Sequence, residues 1–513
     1  MNAKHNPCMR SSRRLLLLGA LFCAQLLPAQ DLWRGGRNVA GVAQGPETGH
    51  FAGAALFGKF TSGEFRSPSH GKTLFATGVA AESESRFQNL YLAGNFGFEL
   101  DYGTQMMGSM FTDPGYYPVD MLEFTPGTKV RQTYDIGGAL AWKNSSRWTP
   151  GTAVRFRGVN YAKRKDLRHT TYRQELELAP SVHYRGEGWQ AGLSLVFEKT
   201  SEFIKAEQVG EAPIDPYMAF LDKGIRYGTL EIWDGNGTHL NETGVNQFPV
   251  KEYTWGFAVQ ASLGEALYGD FEFDWTSGQV GEKGYTWFRF PGHKLSAQIV
   301  WTLPSATGVH SLQAAVEWFR QSNYETVLEK STHGGVTTPE EYGSRRIFQR
   351  MGLEAGPSWS FSHKKGWGLG SSLQLIKARD RSTLMYPYLD NDESLVMRWS
   401  VQGRVPLGNF LLQAGALAGC KIGEHRHTVE VADPSLGLSS TPYRLQDWWD
   451  REQEANDATR IQLMLSVRYN FVLGHSAPLY LEAGCNWLHA FDIQLLSGSD
   501  RQTTYLKLGY NFN

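Results

Sequence analysis

From about residue 50 to its end the chain repeats one theme: ten or more residues in which apolar side chains alternate with small or polar ones. Successive side chains of an extended strand point to opposite faces, so this period predicts strands with one apolar and one polar face. Over residues 90–102, Leu90, Leu92, Phe96, Phe98, Leu100 and Tyr102 share one face, and Asn95, Gly97, Glu99 and Asp101 the other. Residues 460–471 repeat the arrangement, with Ile461, Leu463, Leu465, Val467, Tyr469 and Phe471 opposed to Arg460, Gln462, Ser466, Arg468 and Asn470.

An apolar face of this kind can cover a soluble core or meet lipid, and length separates the two. Strands of globular proteins usually run about 5–6 residues, whereas a tilted membrane strand needs about 9–11. The stretches here have the longer length. Trp189, Trp255, Trp275, Trp301, Trp318, Trp359, Trp367, Trp399 and Trp487 fall on the apolar face, several near strand ends, as expected of aromatic girdles. Connections alternate as well. Short ones rich in Gly, Pro and Asn lie at 185–188, 304–308, 363–366, 407–409 and 474–478, and long ones at 200–252, 424–458, 106–129 and 323–345. The resulting fold class is all-β: a transmembrane, antiparallel, up-and-down barrel of about eighteen strands, sixteen being the alternative, with short periplasmic turns and long extracellular loops.

Composition narrows the means of crossing. A mean hydropathy of -0.38 and the lack of any long apolar run beyond the N-terminus argue against transmembrane helices, which leaves a barrel. Residues 1–29 read as an export signal, in which Lys4, Arg10, Arg13 and Arg14 precede the apolar residues 15–27, and Pro28, Ala29 and Gln30 place cleavage after Ala29. The plan is then a signal over 1–29, a Gly-rich periplasmic or plug segment over 30–50, and a barrel over 51–513 in a Gram-negative outer membrane. The signal carries four of the 50 basic residues and no acidic one, leaving 46 against 51 acidic, so nucleic acid is not an expected partner. Cys420 and Cys485 are isolated on strand-like stretches and make neither a disulfide framework nor a metal motif.

The last strand is the most specific local feature. Leu506, Leu508, Tyr510 and Phe512 alternate strictly and the chain stops one residue after an aromatic, which resembles the terminal strand that outer-membrane barrels present to the barrel assembly machinery. With the aromatic strands and the Pro28-Ala29-Gln30 exit, the chain resembles an uncharacterised family of outer-membrane barrels from the Bacteroidota. That resemblance is one of architecture and implies no activity and no functional residues.

A barrel of this width holds an aqueous channel unless something fills it, so the polar parity carries the candidate chemistry. The candidate pore-lining residues are Asn95, Glu99, Asp101, Arg155, Arg157, Glu272, Asp274, Arg398, Arg404, Arg460 and Arg468. They either pair with one another along a solvated wall or set an acidic side against a basic side, whose transverse field would select small polar solutes. Residues 30–50, with Trp33, Arg34 and Arg37 at their head, either trail into the periplasm or tuck into the lumen with their arginines against carboxylates. In the loops, His425 and His427 are weak metal candidates, and Trp448, Trp449 and Asp450 form an exposed aromatic pair beside a carboxylate that either stacks on a sugar or a partner or only packs the loop onto the rim. No triad or paired-acid motif marks an enzyme and no cofactor is expected. The expected function is a channel or transporter for a small polar solute embedded in outer-membrane lipid; the alternative is a sealed barrel that docks a surface protein or lipoprotein.

Overall fold

The computed structural model describes residues 32–44, 49–145, 147–207, 218–224, 227–232, 247–282, 285–333, 336–383, 389–421, 426–429, 443–473 and 477–512. The expected export signal and His425 lie outside the described residues. The alternating stretches fold as β1 (Gly49–Gly63), β2 (Thr73–Phe87), β3 (Leu90–Ser109), β4 (Asp120–Trp142), β5 (Trp148–Lys163), β6 (Arg168–Arg185) and β7 (Trp189–Glu207). A hairpin of β8 (Met218–Gly224) and β9 (Tyr227–Ile232) interrupts the series. It resumes with β10 (Gln247–Leu263), β11 (Leu267–Glu282), β12 (Tyr285–Pro304), β13 (Gly308–His333), β14 (Val336–His363), β15 (Gly368–Thr383), β16 (Leu389–Leu407) and β17 (Phe410–Lys421). The short β18 (Arg426–Val429) precedes β19 (Arg460–Leu473), β20 (Ala477–Ala490) and β21 (Asp500–Phe512).

Apart from β8, β9 and β18, these strands form one antiparallel wall of eighteen. β1 pairs with β21 from Ala52–Phe512 to Gly63–Arg501 and closes it. In hydrocarbon each unpaired backbone group costs several kcal/mol, and closure leaves no sheet edge unpaired.

Parity assigns the two faces. On β19, Leu463 and Leu465 are 46% and 58% exposed while Gln462 and Ser466 are 1% and 8%. Lipid therefore meets the leucines, and the polar set turns inward. The exposed tryptophans form two rows. Trp142, Trp148 and Trp189 stand at the turn ends of β4, β5 and β7. Trp255, Trp275 and Trp399 each stand eight residues from the turn end of β10, β11 and β16. At about 3.3 Å per residue and a tilt of about 40°, eight residues climb roughly 20 Å, close to the apolar band of a membrane barrel.

Short turns at 185–188, 304–308, 363–366 and 407–409 fall where the alternation placed them. Most of the turn expected at 474–478 and much of the connections 200–252 and 424–458 lie outside the described residues, and the described parts of the long connections differ. β13 and β14 remain paired as far as His333 and Val336, and β3 and β4 reach Ser109 and Asp120, so much of the stretches read as loops is sheet. Beyond the lipid both faces are wet or covered by protein. Apolar alternation disappears there although backbone pairing continues. Nor do the loop segments all lie outside. Residues 110–119, the β8–β9 hairpin and an α-helix over Tyr443–Asp457 fold into the loop end of the barrel.

The face assignment makes a prediction about two adjacent residues of β19. Leu465→Arg puts a charge into the lipid-facing band and should cost about 2–4 kcal/mol, whereas Ser466→Arg points into the lumen and should fold. Heat-modifiable electrophoretic mobility reads the difference; equal loss of folded barrel in both would contradict the assignment.

Candidate functional site

The candidate site is the lumen, whose charge is unevenly distributed around the wall. Glu175 and Glu177 of β6, Glu198 and Glu202 of β7, Glu252 of β10, and Asp270, Glu272 and Asp274 of β11 make one side acidic. Arg404 of β16, Arg460 and Arg468 of β19, Arg501 of β21 and Lys59 of β1 make another side basic. The centres of the two arcs are nine strands apart, which is half of the eighteen-strand circuit. Between them, β2 to β5 carry both signs in pairs. Glu99 lies 3.7 Å from Lys59, Asp101 2.8 Å from Arg131 and Glu175 3.6 Å from Arg157, while Arg155 pairs with Asp135, which also accepts from Asn95 at 3.4 Å.

The acidic side is covered at the turn end by the N-terminal segment. A 3-10 turn at Trp33–Gly35 leads into the short helix α1 (Val39–Val42). The Trp33 indole packs edge-on against His183 and Tyr268, while Val39 and Ala40 cluster with Tyr91 and Ala141. Asn38 caps α1 by accepting from Gly41 N at 2.8 Å and donates to the wall carbonyls of Val182 and Leu193 at 3.0 and 3.1 Å. That approach requires Gly192, where a Cβ would lie 2.4 Å from Asn38 Nδ2. Arg37 donates to Glu272 at 3.0 Å and to Glu177. Burial works against its charge, but Glu272 and Glu177, then Asp274 and Glu198, outweigh it and raise its pKa above the usual guanidinium value.

At the loop end two buried arginines hold residues 110–119 across the lumen. Arg173 and Arg350 are each 1% exposed. Arg173 pairs with Asp113 at 2.8 Å, with Glu202 at 3.7 Å and with Glu175, and its guanidinium lies 4.0 Å from the Tyr116 ring centre. Arg350, on β14, donates to the carbonyls of Gly115 at 2.7 Å and Tyr117 at 3.3 Å, and to that of Tyr116. Tyr116 in turn donates to Glu252 at 2.7 Å. Burial above all pushes the phenols of Tyr116 and Tyr117 well above their ordinary pKa. Around them Met110, Phe111, Leu221, Phe248, Phe288 and Phe290 are buried in one apolar cluster.

The Tyr443–Asp457 helix, α2, covers the remaining mouth. Trp448 is buried against Leu122, Phe124 and Phe220, and leans on Gly108, whose φ of +98° and close approach, 2.6 Å from Trp448 Nε1 to a Cβ there, favour glycine. The Glu454 carboxylate accepts from the backbone N–H groups of Gln494, Leu495 and Leu496 at 2.6–3.1 Å, and Glu452 accepts from Ser69 Oγ at 3.4 Å and from Ser67. The exposure expected of the aromatic pair is therefore corrected, and of its two readings the packing of the loop onto the rim is the one these contacts match. Trp448 is buried, Trp449 and Asp450 are half-buried, and Trp449 meets Phe220 edge-on at 5.9 Å. The apolar surface available inside the mouth outcompetes exposure to water. His427 lies on β18, opposite Asp392 of β16.

Beneath α2 the basic side keeps a cavity of about 500 Å³. Three of the candidate residues, Arg404, Arg460 and Arg468, line it, with Glu482 as the carboxylate among the described lining. Arg398 lines a second space of about 280 Å³ under Trp448 and Trp449. Glu272 and Asp274 belong to the acidic side, and Asn95, Glu99, Asp101, Arg155 and Arg157 belong to the paired ladder, so the candidates do not converge on one point. The parity that selected them also marks Arg173, Glu175, Glu177 and Arg501, which are not among the candidates named from the sequence. Arg66, on the loop between β1 and β2, carries no such signal.

A model of a family described only as of unknown function, DUF6850, matches residues 40–512. Among solved structures, the chain is similar to the ferric preacinetobactin receptor BauA of Acinetobacter baumannii at 9% identity over 90% of this chain and 80% of that one, with a TM-score of 0.39. The copper transporter OprC gives 8% identity, coverages of 91% and 81% and a TM-score of 0.41, and the monoaromatic hydrocarbon channel CymD 8%, 95% and 93%, and 0.33. No curated protein matches.

Arg173→Gln would leave Asp113, Glu175 and Glu202 together without that guanidinium. Breaking a buried ionic network by removing one partner costs about 3–5 kcal/mol, so residues 110–119 should detach while the barrel persists. Chymotrypsin should then cut after Phe111 or Tyr116 in folded variant and not in folded wild type. A variant as resistant as wild type would show that Arg173 does not hold the segment.

Proposed function

Taking the chain as a member of the DUF6850 family of unknown function, to which it belongs over residues 40–512, we propose that it is an outer-membrane transporter for a small polar solute, closed at rest from both ends by its own chain. The observation that carries this reading is the charged cavity of about 500 Å³ beneath α2 on the basic side, a volume within the range of small-molecule sites. A barrel needed only as a rigid post gains nothing from a hydrated, charged chamber in its centre. The N-terminal segment acts as the periplasmic plug, and residues 110–119, the β8–β9 hairpin and α2 act as the extracellular closure.

The transverse arrangement of charge supports the same reading. A solute crossing between an acidic and a basic arc is oriented by the field and selected by charge, and no chemical step is involved. The wall contributes partners of its own, outer-membrane lipid on the apolar belt and the barrel assembly machinery at β21.

The filled mouth favours a second reading, a sealed barrel that docks a surface protein or lipoprotein, and conductance separates the two. In planar bilayers the intact chain should be closed for most of the time. Deleting residues 32–44 and residues 443–457 together with Arg173→Gln, which removes the plug and α2 and releases residues 110–119, should give steady ion current. Correctly folded barrel that passes no current in either form would overturn transport and leave docking.

A further inference from the structure

The cavity has a strong charge imbalance where it meets the loop between β1 and β2. Lys59, Arg66, Arg404, Arg460, Arg468 and Arg501 line it with Glu482 as the carboxylate among the described lining, while Glu99 lies 3.7 Å from Lys59 and Glu64 acts on Arg66 from beside the cavity. Glu482 is already engaged, accepting from Arg468 at 2.8 Å and from Tyr505 at 2.9 Å.

Arg66 and Arg501 meet at one turn of chain. Arg66 Nη1 donates to the carbonyl of His70 at 2.8 Å, and Arg501 Nη2 donates to that of Gly71, the next residue, at 3.0 Å. Both therefore bind the same short stretch of chain, and the charge of Arg66 acts against that of Arg501. Arg501 Nη1 is buried and makes no hydrogen bond among the described residues. A buried charged donor left unmet is costly, and its usual complement is an anion. His70, between them, is held neutral. Burial first, then Arg501, Arg131 and Arg66, push its pKa down to about 3, so it adds no countercharge and registers the positive field.

We propose that this chamber binds a small soluble organic or inorganic polyanion, carrying phosphate or carboxylate groups, with Arg66 and Arg501 as its principal ligands. Paired guanidiniums present planar donor forks that match both groups in a bidentate manner, and Arg460, Arg468 and Lys59 add charge around them. Glu64 and Lys72 of the same loop are 40% and 45% exposed, so the loop that carries Arg66 borders solvent. The inference rests on the transporter reading and names its solute class, but binding itself needs no passage through the barrel.

Calorimetric titration of detergent-solubilised full-length protein at low salt, with inorganic pyrophosphate and with citrate as separate probes, tests it. Wild type should bind at least one probe at one site per chain. Arg501→Gln and Arg66→Gln should each weaken binding about tenfold or more, the loss expected for a charged hydrogen bond. Arg289→Gln, which alters an exposed pair with Glu341 far from the chamber, should bind as wild type does. Pyrophosphate without citrate would identify a phosphate site, and the reverse a carboxylate site. Should Arg501→Gln fail to give heat-modifiable barrel, Arg66→Gln on the loop carries the test. No saturable heat with either probe, or affinity unchanged in the arginine variants, overturns the proposal. A conducting barrel that binds neither probe overturns the anion site alone, while a binding barrel that never conducts overturns transport alone.

Discussion

Backbone pairing in hydrocarbon is the constraint on which everything else here depends. The β1–β21 contact, Ala52–Phe512 to Gly63–Arg501, removes the last sheet edge, and once the wall is closed each strand must give one parity to lipid and the other to the interior. The outward parity is simple, an apolar belt with tryptophans at its two borders. The inward parity creates a difficulty. It brings many ionisable side chains into a confined space, where an unpaired charge costs far more than on a surface.

Different parts of the interior resolve that difficulty differently. On the β2–β5 side, acids and bases on neighbouring strands pair across the sheet. Beneath the acidic arc the N-terminal segment brings Arg37 to Glu177 and Glu272, and higher up Arg173 gathers Asp113, Glu175 and Glu202. The basic arc has fewer acids within reach, and there the space stays open. Magnitudes identify which contacts hold the closures. An exposed pair such as Arg289–Glu341 contributes about 0–1 kcal/mol, whereas removing one partner from a buried cluster costs several. The docking of residues 110–119 therefore depends on Arg173 and Arg350 more than on the surface charges of the loops.

The wall was legible in the sequence because lipid imposes a strict rule on alternate residues. Ile461, Leu463 and Leu465 against Gln462 and Ser466 need no further context to be assigned to a face. The positions of Arg404, Arg460 and Arg468 in the chamber follow from the same rule. What the rule cannot reach is whatever lies outside the lipid. Trp448 looks exposed in a polar stretch because the surfaces of Leu122, Phe124 and Phe220 that cover it come from distant parts of the chain. Arg66 sits in a loop with no period, and its meeting with Arg501 is made by a tertiary turn at His70 and Gly71. The N-terminal segment had two open readings for the same reason. Its Gly-rich composition favours a tail, whereas the acidic arc that receives Arg37 exists only in the folded barrel.

The central claim is that the chain occupies its own lumen, and a cross-link tests it most directly. A Cβ on Gly151 of β5 would lie 2.9 Å from Val39 Cγ1 of α1, so side chains at the two positions meet. In a background with Cys420 and Cys485 replaced by serine, Val39→Cys with Gly151→Cys should oxidise to an intramolecular disulfide in folded barrel, seen by mass spectrometry of the linked peptides. Two free thiols in folded protein under oxidising conditions, both open to alkylation, would place residues 32–44 outside the lumen and contradict the account.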